Sequence, residues 1–117
     1  MAETRVSIRI DLPTGVRIGP GKIALLEAIR ETGSISAAGR ALDMSYRRAW
    51  LLVEEINEAL RQPAVVAATG GRRGGGAVVT EIGEQIVAHY RTVETQARLA
   101  ARDEFEAIAK LTRRGKK

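Results

Sequence analysis

The chain begins with a segment in which polar and apolar residues alternate. Residues 5–12 place Val6, Ile8, Ile10 and Leu12 at every second position. A period of two is typical of a strand that buries one face, so we predict a strand here. The next segment, 13–21, holds three glycines and two prolines and predicts a turn followed by a short extended link.

Helical spacing of apolar residues replaces the alternation from residue 22 onward. Residues 22–31 place five apolar side chains on one helical face, Pro20 is a suitable helix opener, and Gly33 marks the helix end. A second, short helix is predicted over about residues 36–42, with a serine before it as cap. A third helix is predicted over about residues 46–61, because Ser45 is placed to cap it.

The last two of these helices, joined by a turn of three or four residues, match a helix-turn-helix. At about 100° per residue, the apolar residues of 46–61 fall on one side of the helix, which predicts a core face. These core residues are Ala49, Leu52, Val53, Ile56 and Leu60, and the opposite face holds Arg47, Leu51, Glu54 and Glu58.

The first turn of helix 46–61 carries Tyr46, Arg47 and Arg48, which is where a recognition helix contacts base edges. Arginine forms a bidentate contact with guanine, and an exposed leucine can meet a thymine methyl group. The alternative is an ordinary solvated face with Tyr46 and Trp50 packed at its margins. Because acidic residues farther along would repel phosphate, we expect any DNA contact to be concentrated in the first turns.

Two short apolar strands, 64–68 and 77–80, flank a glycine-rich segment with Arg72 and Arg73 at its centre. This pattern predicts a β-hairpin, and the arginines suit contact with phosphate or the minor groove. Taken alone, such a segment is more often just a flexible loop. After a helix-turn-helix, it is typical of the wing of a winged helix.

A long helix is predicted from Glu81 to about Leu111, capped by Thr80 and on the order of 46 Å long. An apolar stripe that starts at Ile82 extends beyond the small domain. It is expected to pack against the same helix of a second chain. The alternative is a helix that folds back over its own domain. The residues assigned to dimerisation are Ile86, Tyr90, Val93, Ala97, Ala101, Phe105 and Ile108.

Composition narrows the class of protein. The 117 residues suffice for one domain, and 44% hydrophobic with 28% charged residues is a globular balance. The absence of cysteine and the single histidine, His89, exclude disulfides, thiolate catalysis and the usual multi-histidine metal sites. No catalytic constellation is present, so we expect a protein that is not an enzyme. No secretory signal or membrane span is evident, and we expect a cytoplasmic protein.

The net charge of +5 suggests an anionic partner such as nucleic acid, but the charge is unevenly placed. The last five residues carry four of the positive charges, so the rest of the chain is nearly neutral. We predict a winged-helix DNA-binding and dimerisation domain over residues 1–112 and a disordered basic tail over 113–117. The net charge alone therefore does little to identify the partner.

Four segments together resemble the ModE family, bacterial molybdate-responsive repressors. They are Ile18 to Ile29, Thr32 to Ala38, Met44 to Trp50, and Ala68 to Gly76 followed by Val79, Thr80 and Gly83. The combination spans about residues 5–90. The helix-turn-helix portion by itself also resembles LysR-type regulators.

This resemblance implies an α+β, mainly α fold: a winged helix-turn-helix with a β-hairpin wing and a long C-terminal dimerisation helix. It also implies a homodimer on a palindromic operator in double-stranded DNA, and repression of molybdate-transport or molybdenum-related genes. The positions that it assigns to DNA contact are Ser34, Ser36, Ser45, Tyr46, Arg47, Arg48, Trp50, Arg72 and Arg73.

Family members continue into a molybdate-binding region, and no part of this sequence matches it. We therefore expect no cofactor in this chain, with molybdate acting only through a separate effector protein or a weak anion site at the glycine-rich loop. A second hypothesis is a protein-interaction module. In it, the long helix pairs with a different chain and DNA binding is non-specific.

Overall fold

The computed structural model describes residues 4–68 and 76–113. The predicted wing tip with Arg72 and Arg73 lies outside the described residues, and so does all of the predicted basic tail except Arg113. In chain order the elements are two very short strands, three helices, a β-hairpin and two further helices.

The N-terminal strands are β1 (Ile10–Asp11) and β2 (Arg17–Ile18), which pair antiparallel with Ile10 opposite Ile18. The predicted strand over 5–12 is therefore limited to two residues, because β2 offers only two positions to pair with. The buried face is nevertheless as the alternation predicts, since Ile8 and Leu12 pack against the core beside Ile10.

Three helices follow: α1 (Pro20–Thr32), α2 (Ile35–Ala41) and α3 (Tyr46–Ala59). Helix α1 ends at Gly33, whose φ of 71° is in the left-handed region that glycine adopts without strain. Helices α2 and α3 cross closely at Gly39, where a Cβ atom would lie 3.2 Å from the Cβ of Ala49. Small residues at the crossing thus set the geometry of the helix-turn-helix.

The hairpin consists of β3 (Val65–Ala68) and β4 (Gly76–Val79), in register from Val65 opposite Val79 to Ala68 opposite Gly76. Val65 and Ala77 are buried in the core, whereas Val66 and Val78 are exposed, as expected for a two-stranded sheet that is covered on one side. The hairpin is joined to the helical part by a hydrogen bond of 2.9 Å from the Ala77 amide to the Gly33 carbonyl.

The predicted single helix from Glu81 to Leu111 is wrong in one respect. The chain forms two helices, α4 (Glu81–Ala100) and α5 (Arg102–Lys110), separated at Ala101, whose φ and ψ are −109° and 16°. Helix α5 has no buried residue. Its residues therefore contribute nothing to the buried core of the domain.

The core lies where α1, α2 and α3 meet the first half of α4 and the inner face of the hairpin. Tyr90 of α4 belongs to this core, with 1% of its surface exposed, and its hydroxyl donates a 2.6 Å hydrogen bond to the Ile8 carbonyl. Burial raises the pKa of the Tyr90 phenol. The assignment of Tyr90 to a dimer interface is therefore corrected: a side chain enclosed by its own domain is not available to a second chain.

Candidate nucleic-acid interface

The start of α3 projects two aromatic side chains from the surface. Tyr46 is 57% exposed and Trp50 is 40% exposed, and their rings meet edge to face with centroids 6.3 Å apart. Ser45 caps this turn by accepting a 3.1 Å hydrogen bond from the Arg48 amide. The cap places the helix start at Tyr46, where the sequence predicts it.

A cleft of about 280 Å³ lies between the start of α2, the exposed side of α3 and the hairpin. Ser34, Ser36, Tyr46 and Trp50 all line it, so the fold brings four of the predicted DNA-contact residues to one place. Ser34 also caps α2, since its hydroxyl accepts a 3.0 Å hydrogen bond from the Ala37 amide. The lining of the cleft therefore combines serine hydroxyl groups with aromatic rings.

A second, more open depression adjoins the cleft at Trp50, which lines both. Its volume is about 540 Å³. It brings together the remaining predicted residues of the helix-turn-helix with two that were not assigned to DNA contact. The lining residues are Ser45, Arg47, Arg48, Trp50, Leu51 and Glu54.

The guanidinium groups of Arg47 and Arg48 form no ion pair with any of the residues in 4–68 and 76–113. By contrast, Lys22 of α1 pairs with Glu55 of α3 at 3.0 Å. The two arginines are exposed, and an anionic partner would not need to displace an internal carboxylate to reach them. The first turn of α3 thus presents two positive charges that no carboxylate of the described residues neutralises.

Asn57 connects α3 to the hairpin and was missed in the sequence analysis. Its Oδ1 accepts hydrogen bonds from the amides of Ala64 (2.8 Å) and Val65 (3.1 Å), and its Nδ2 donates to the Val65 carbonyl (3.1 Å). One side chain thereby fixes the root of β3 relative to the recognition helix. The sequence feature that could have indicated this role is an amide residue near the end of an amphipathic helix, shortly before a turn.

The other end of the hairpin is fixed at Thr80, which has two roles. Its Oγ1 donates a 2.7 Å hydrogen bond to the Pro63 carbonyl and accepts one of 3.3 Å from the Gly83 amide as the cap of α4. Gly83 is required here, because a Cβ atom would lie 2.6 Å from the Ala64 carbonyl oxygen. The hairpin root, α3 and α4 therefore form one unit.

An ion-pair cluster joins α1 to α4. Arg91 donates hydrogen bonds to Glu27 from Nε (3.0 Å) and Nη2 (2.7 Å), and its Nη1 donates one to Glu94 (2.7 Å). Its hydrogen bonds lower the pKa of the Glu27 carboxyl, and the same contacts with Glu27 and Glu94 raise the pKa of Arg91. A second pair, Arg30 with Glu84 at 2.7 Å, lies on the same two helices. These contacts fix the direction in which α4 leaves the domain.

Beyond Tyr90, the predicted dimerisation stripe leaves the domain. Ile86 packs partly against the core, whereas Val93 is 38% exposed and Ile108 is 57% exposed. Ala97, Ala101 and Phe105 between them are half-buried. The alternative that the helix folds back on its own domain therefore holds for the first part of α4, and the rest of the stripe faces outward.

Among residues 4–68 and 76–113, no group of three or more His, Asp or Glu side chains is placed to hold a metal ion. Within the same ranges, no helix is long and apolar enough to cross a membrane.

No protein-family model matches the chain. Relatives do. The molybdenum-pterin-binding protein MopB of Rhodobacter capsulatus is 51% identical over 81 residues, covering 69% of this chain and 30% of that protein. The molybdenum transport protein ModE of Azotobacter vinelandii is 40% identical over 98 residues, covering 82% and 36%. The DNA-binding transcriptional dual regulator ModE of Escherichia coli K12 is 33% identical over 88 residues, covering 75% and 34%.

A crystal structure of a LysR family transcriptional regulator matches 71% of this chain and 27% of that chain, with a TM-score of 0.52 and 17% identity. This likeness supports the fold alone, and it confirms the prediction of an α+β, mainly helical winged helix-turn-helix. The chain spans about a third of the length of the curated relatives it matches. The predicted resemblance to the ModE family is thereby confirmed over the winged-helix part of the chain.

Proposed function

We propose that this protein is a sequence-specific DNA-binding transcriptional regulator and not an enzyme. The observation that carries the proposal is the exposed first turn of α3. There Tyr46, Arg47 and Arg48 stand beside Trp50, with no internal ion pair to either arginine among the described residues. In a helix-turn-helix, these positions of the second helix enter the major groove. The names of the ModE relatives support the same role.

We further propose a homodimer on a palindromic operator. The outward apolar face of α4 and α5 supports it, because Val93 and Ile108 remain 38% and 57% exposed in the single chain. A twofold axis through this face would present two recognition helices to half-sites about one helical turn, roughly 34 Å, apart. Light scattering coupled to gel filtration should give twice the 12.7 kDa chain mass.

The regulated genes, on this proposal, are molybdate-transport or molybdenum-related genes, and the usual action is repression in the cytoplasm. The names of the relatives, which refer to molybdenum transport and molybdenum-pterin binding, support that assignment. Molybdate would act through a separate effector protein or a weak anion site rather than through a resident cofactor. Equilibrium dialysis with molybdate tests this point, and uptake of one equivalent at micromolar concentration would contradict it.

The DNA-binding proposal is tested by fluorescence anisotropy across a salt series. The probes are the upstream region of neighbouring transport genes and a shuffled duplex of the same composition. We expect a preference of at least about 10³ for the specific duplex. Equal and steeply salt-dependent binding to both duplexes would contradict sequence-specific recognition.

The exposed face of α4 and α5 also suits a second candidate function, a protein-interaction module in which this face binds a different chain. In that case DNA binding would be non-specific, and the isolated protein would be a monomer in light scattering. The two candidates are thus separated by the same two measurements.

A further inference from the structure

The exposed face of α3 continues past its first turn in a single line of three side chains. Arg47, Leu51 and Glu54 follow each other at intervals of four and three residues, so they project from the same side of the helix. All three line the depression that adjoins Trp50. The line places a cation, an aliphatic side chain and a carboxylate in that order.

Leu51 has no structural task that explains its position. Half of its surface is exposed, and it lies opposite the face on which Leu52, Val53 and Ile56 are buried. An exposed leucine on a face otherwise made of polar residues suits contact with an apolar group of a partner. In the major groove, the C5-methyl group of thymine is such a group.

Glu54, like Leu51, is not engaged in holding the fold together, and in this respect it differs from its neighbour Glu55. Glu55 pairs with Lys22 at 3.0 Å and so holds α3 to α1, whereas Glu54 forms no ion pair within residues 4–68 and 76–113. A carboxylate is repelled by phosphate, but it accepts hydrogen bonds from the amino group of cytosine on the groove floor. Its position on the line beside Leu51 favours the groove floor.

We propose that Leu51 and Glu54 determine the sequence preference of α3 together with Arg47. Leu51 contacts a thymine methyl group, and Glu54 accepts a hydrogen bond from a cytosine amino group. This inference rests on the proposed DNA-binding function and extends the reading surface beyond the first turn. With a helical rise of about 1.5 Å per residue and a base-pair rise of about 3.4 Å, neighbouring side chains on this line lie about one or two base-pair steps apart, and Arg47 and Glu54 lie about three steps apart.

The test for Leu51 changes the DNA rather than the protein. A duplex is first selected from a random library with the unaltered chain, and each thymine is then replaced singly by deoxyuridine, which lacks only the methyl group. We expect binding to weaken about fourfold at one thymine in each half-site, the effect of removing one buried methyl group from an interface. The protein variant Leu51→Ala should be insensitive to the same replacement.

Leu99→Ala is the matched control, because Leu99 is an exposed leucine on α4, away from α3. It should retain the full sensitivity to deoxyuridine. The inference for Leu51 is overturned if no thymine position is sensitive, or if Leu51→Ala remains as sensitive as the unaltered chain.

The test for Glu54 is a repeated selection with Glu54→Ala. We expect the variant to lose its preference at one position within two base pairs of the thymine that Leu51 contacts. If Glu54 is only a solvated residue, the variant keeps every preference and binds all duplexes more tightly, since one repulsive charge is gone. Glu58→Ala, one turn farther along the exposed face, should behave in this second way.

The results also separate this inference from the proposed function. Failure of the library to enrich any sequence would overturn both. The other case is that a sequence is enriched, but that removing its thymine methyl groups does not weaken binding and Glu54→Ala does not change its base preferences. That result would overturn the present inference alone.

Discussion

At the scale of single residues, the polar side chains of α3 divide by the partners that they already have. Glu55 is held by Lys22, and Asn57 is held by backbone groups of Ala64 and Val65. These side chains stabilise the fold. Arg47 is exposed and forms no ion pair within the described part of the chain, so its substitution should affect DNA binding and leave stability nearly unchanged.

We therefore expect Arg47→Ala to weaken binding to the specific site by about 1–3 kcal/mol and to relax the preference at one base pair. The reason is the loss of a bidentate contact to a base edge. Anisotropy on specific and shuffled duplexes measures both effects. Arg61→Ala, which removes the same charge beyond the far end of α3, is the control, and an equal loss on both duplexes would contradict base reading.

Arg72 lies outside the described residues, and its prediction depends on charge alone. Arg72→Ala should weaken binding to specific and random duplexes alike, because a phosphate contact carries no sequence information. The slope of log K against log salt should fall by about 1. An unchanged slope would show that Arg72 neutralises no phosphate.

At the scale of the elements, the position of the hairpin relative to α3 depends on one amide side chain. Asn57 makes three hydrogen bonds to the root of β3, and Thr80 makes a further one to Pro63. Because the hairpin has only two strands, it needs such contacts to keep a fixed orientation. A recognition helix and a wing that move independently would contact DNA less cooperatively.

Asn57→Leu should lower the free energy of unfolding by about 2 kcal/mol, since two partly buried amides and one carbonyl lose their partner. Hydrogen exchange of the Val65 and Ala77 amides should become faster. Urea denaturation measures the stability, with Gln85→Leu, an exposed substitution on α4, as the control. A stability loss no larger than that of the control would contradict the role of Asn57.

At the scale of the whole molecule, α4 passes from one environment to another along its length. Up to Tyr90 it forms part of the core, and beyond that point the apolar stripe faces outward. The helix α5 adds amphipathic surface without any buried residue of its own. A short helix with this pattern is marginal in water by itself, so a partner surface is expected to stabilise it.

Ile108→Glu should shift the proposed homodimer toward monomer, with a dissociation constant raised at least about 100-fold, because it buries an unpaired charge in the interface. Light scattering at several concentrations measures the shift. Ala107→Glu places the same charge at the adjacent exposed position of α5, away from the stripe, and should leave the dimer intact. Equal dissociation by both variants would argue against a specific interface at Ile108.

Stability at acidic pH should depend on the pair that joins α1 to α4. Arg91 lowers the pKa of Glu27 below its ordinary value of 4.5 in the folded state, so the stabilisation is present above pH 4.5 and is lost as the pH falls through the lowered pKa. The loss should be at most about 1 kcal/mol, since the Arg91 side chain is 42% exposed to screening water.

Urea unfolding between pH 7 and pH 3 measures this dependence. Glu27→Gln should be less stable than the unaltered chain at pH 7 and should show a flatter profile in the acid range. Glu31→Gln, which removes an exposed carboxyl group from the same helix, should keep the original profile. A Glu27→Gln profile as steep as that of the unaltered chain would contradict the assignment.

The sequence located the helix-turn-helix well because local signals and the fold agree there. Ser34 and Ser45 cap α2 and α3 where their hydroxyls predict the helix starts. The predicted strand over 5–12 failed in length, since a strand persists only as far as a partner pairs with it. The predicted long helix failed at Ala101, where no apolar or capping signal distinguishes the break.

The sequence by itself determined the order from α1 through the hairpin, the core face of α3 and the arginines presented at its start. These depend on periodicity and capping within a few residues of the chain. Tertiary structure alone decided that Tyr90 is enclosed by its own domain, that Asn57 holds the hairpin, and that Arg91 joins Glu27. Each of these joins residues far apart along the chain or across elements, and no local pattern encodes which distant group a side chain will meet.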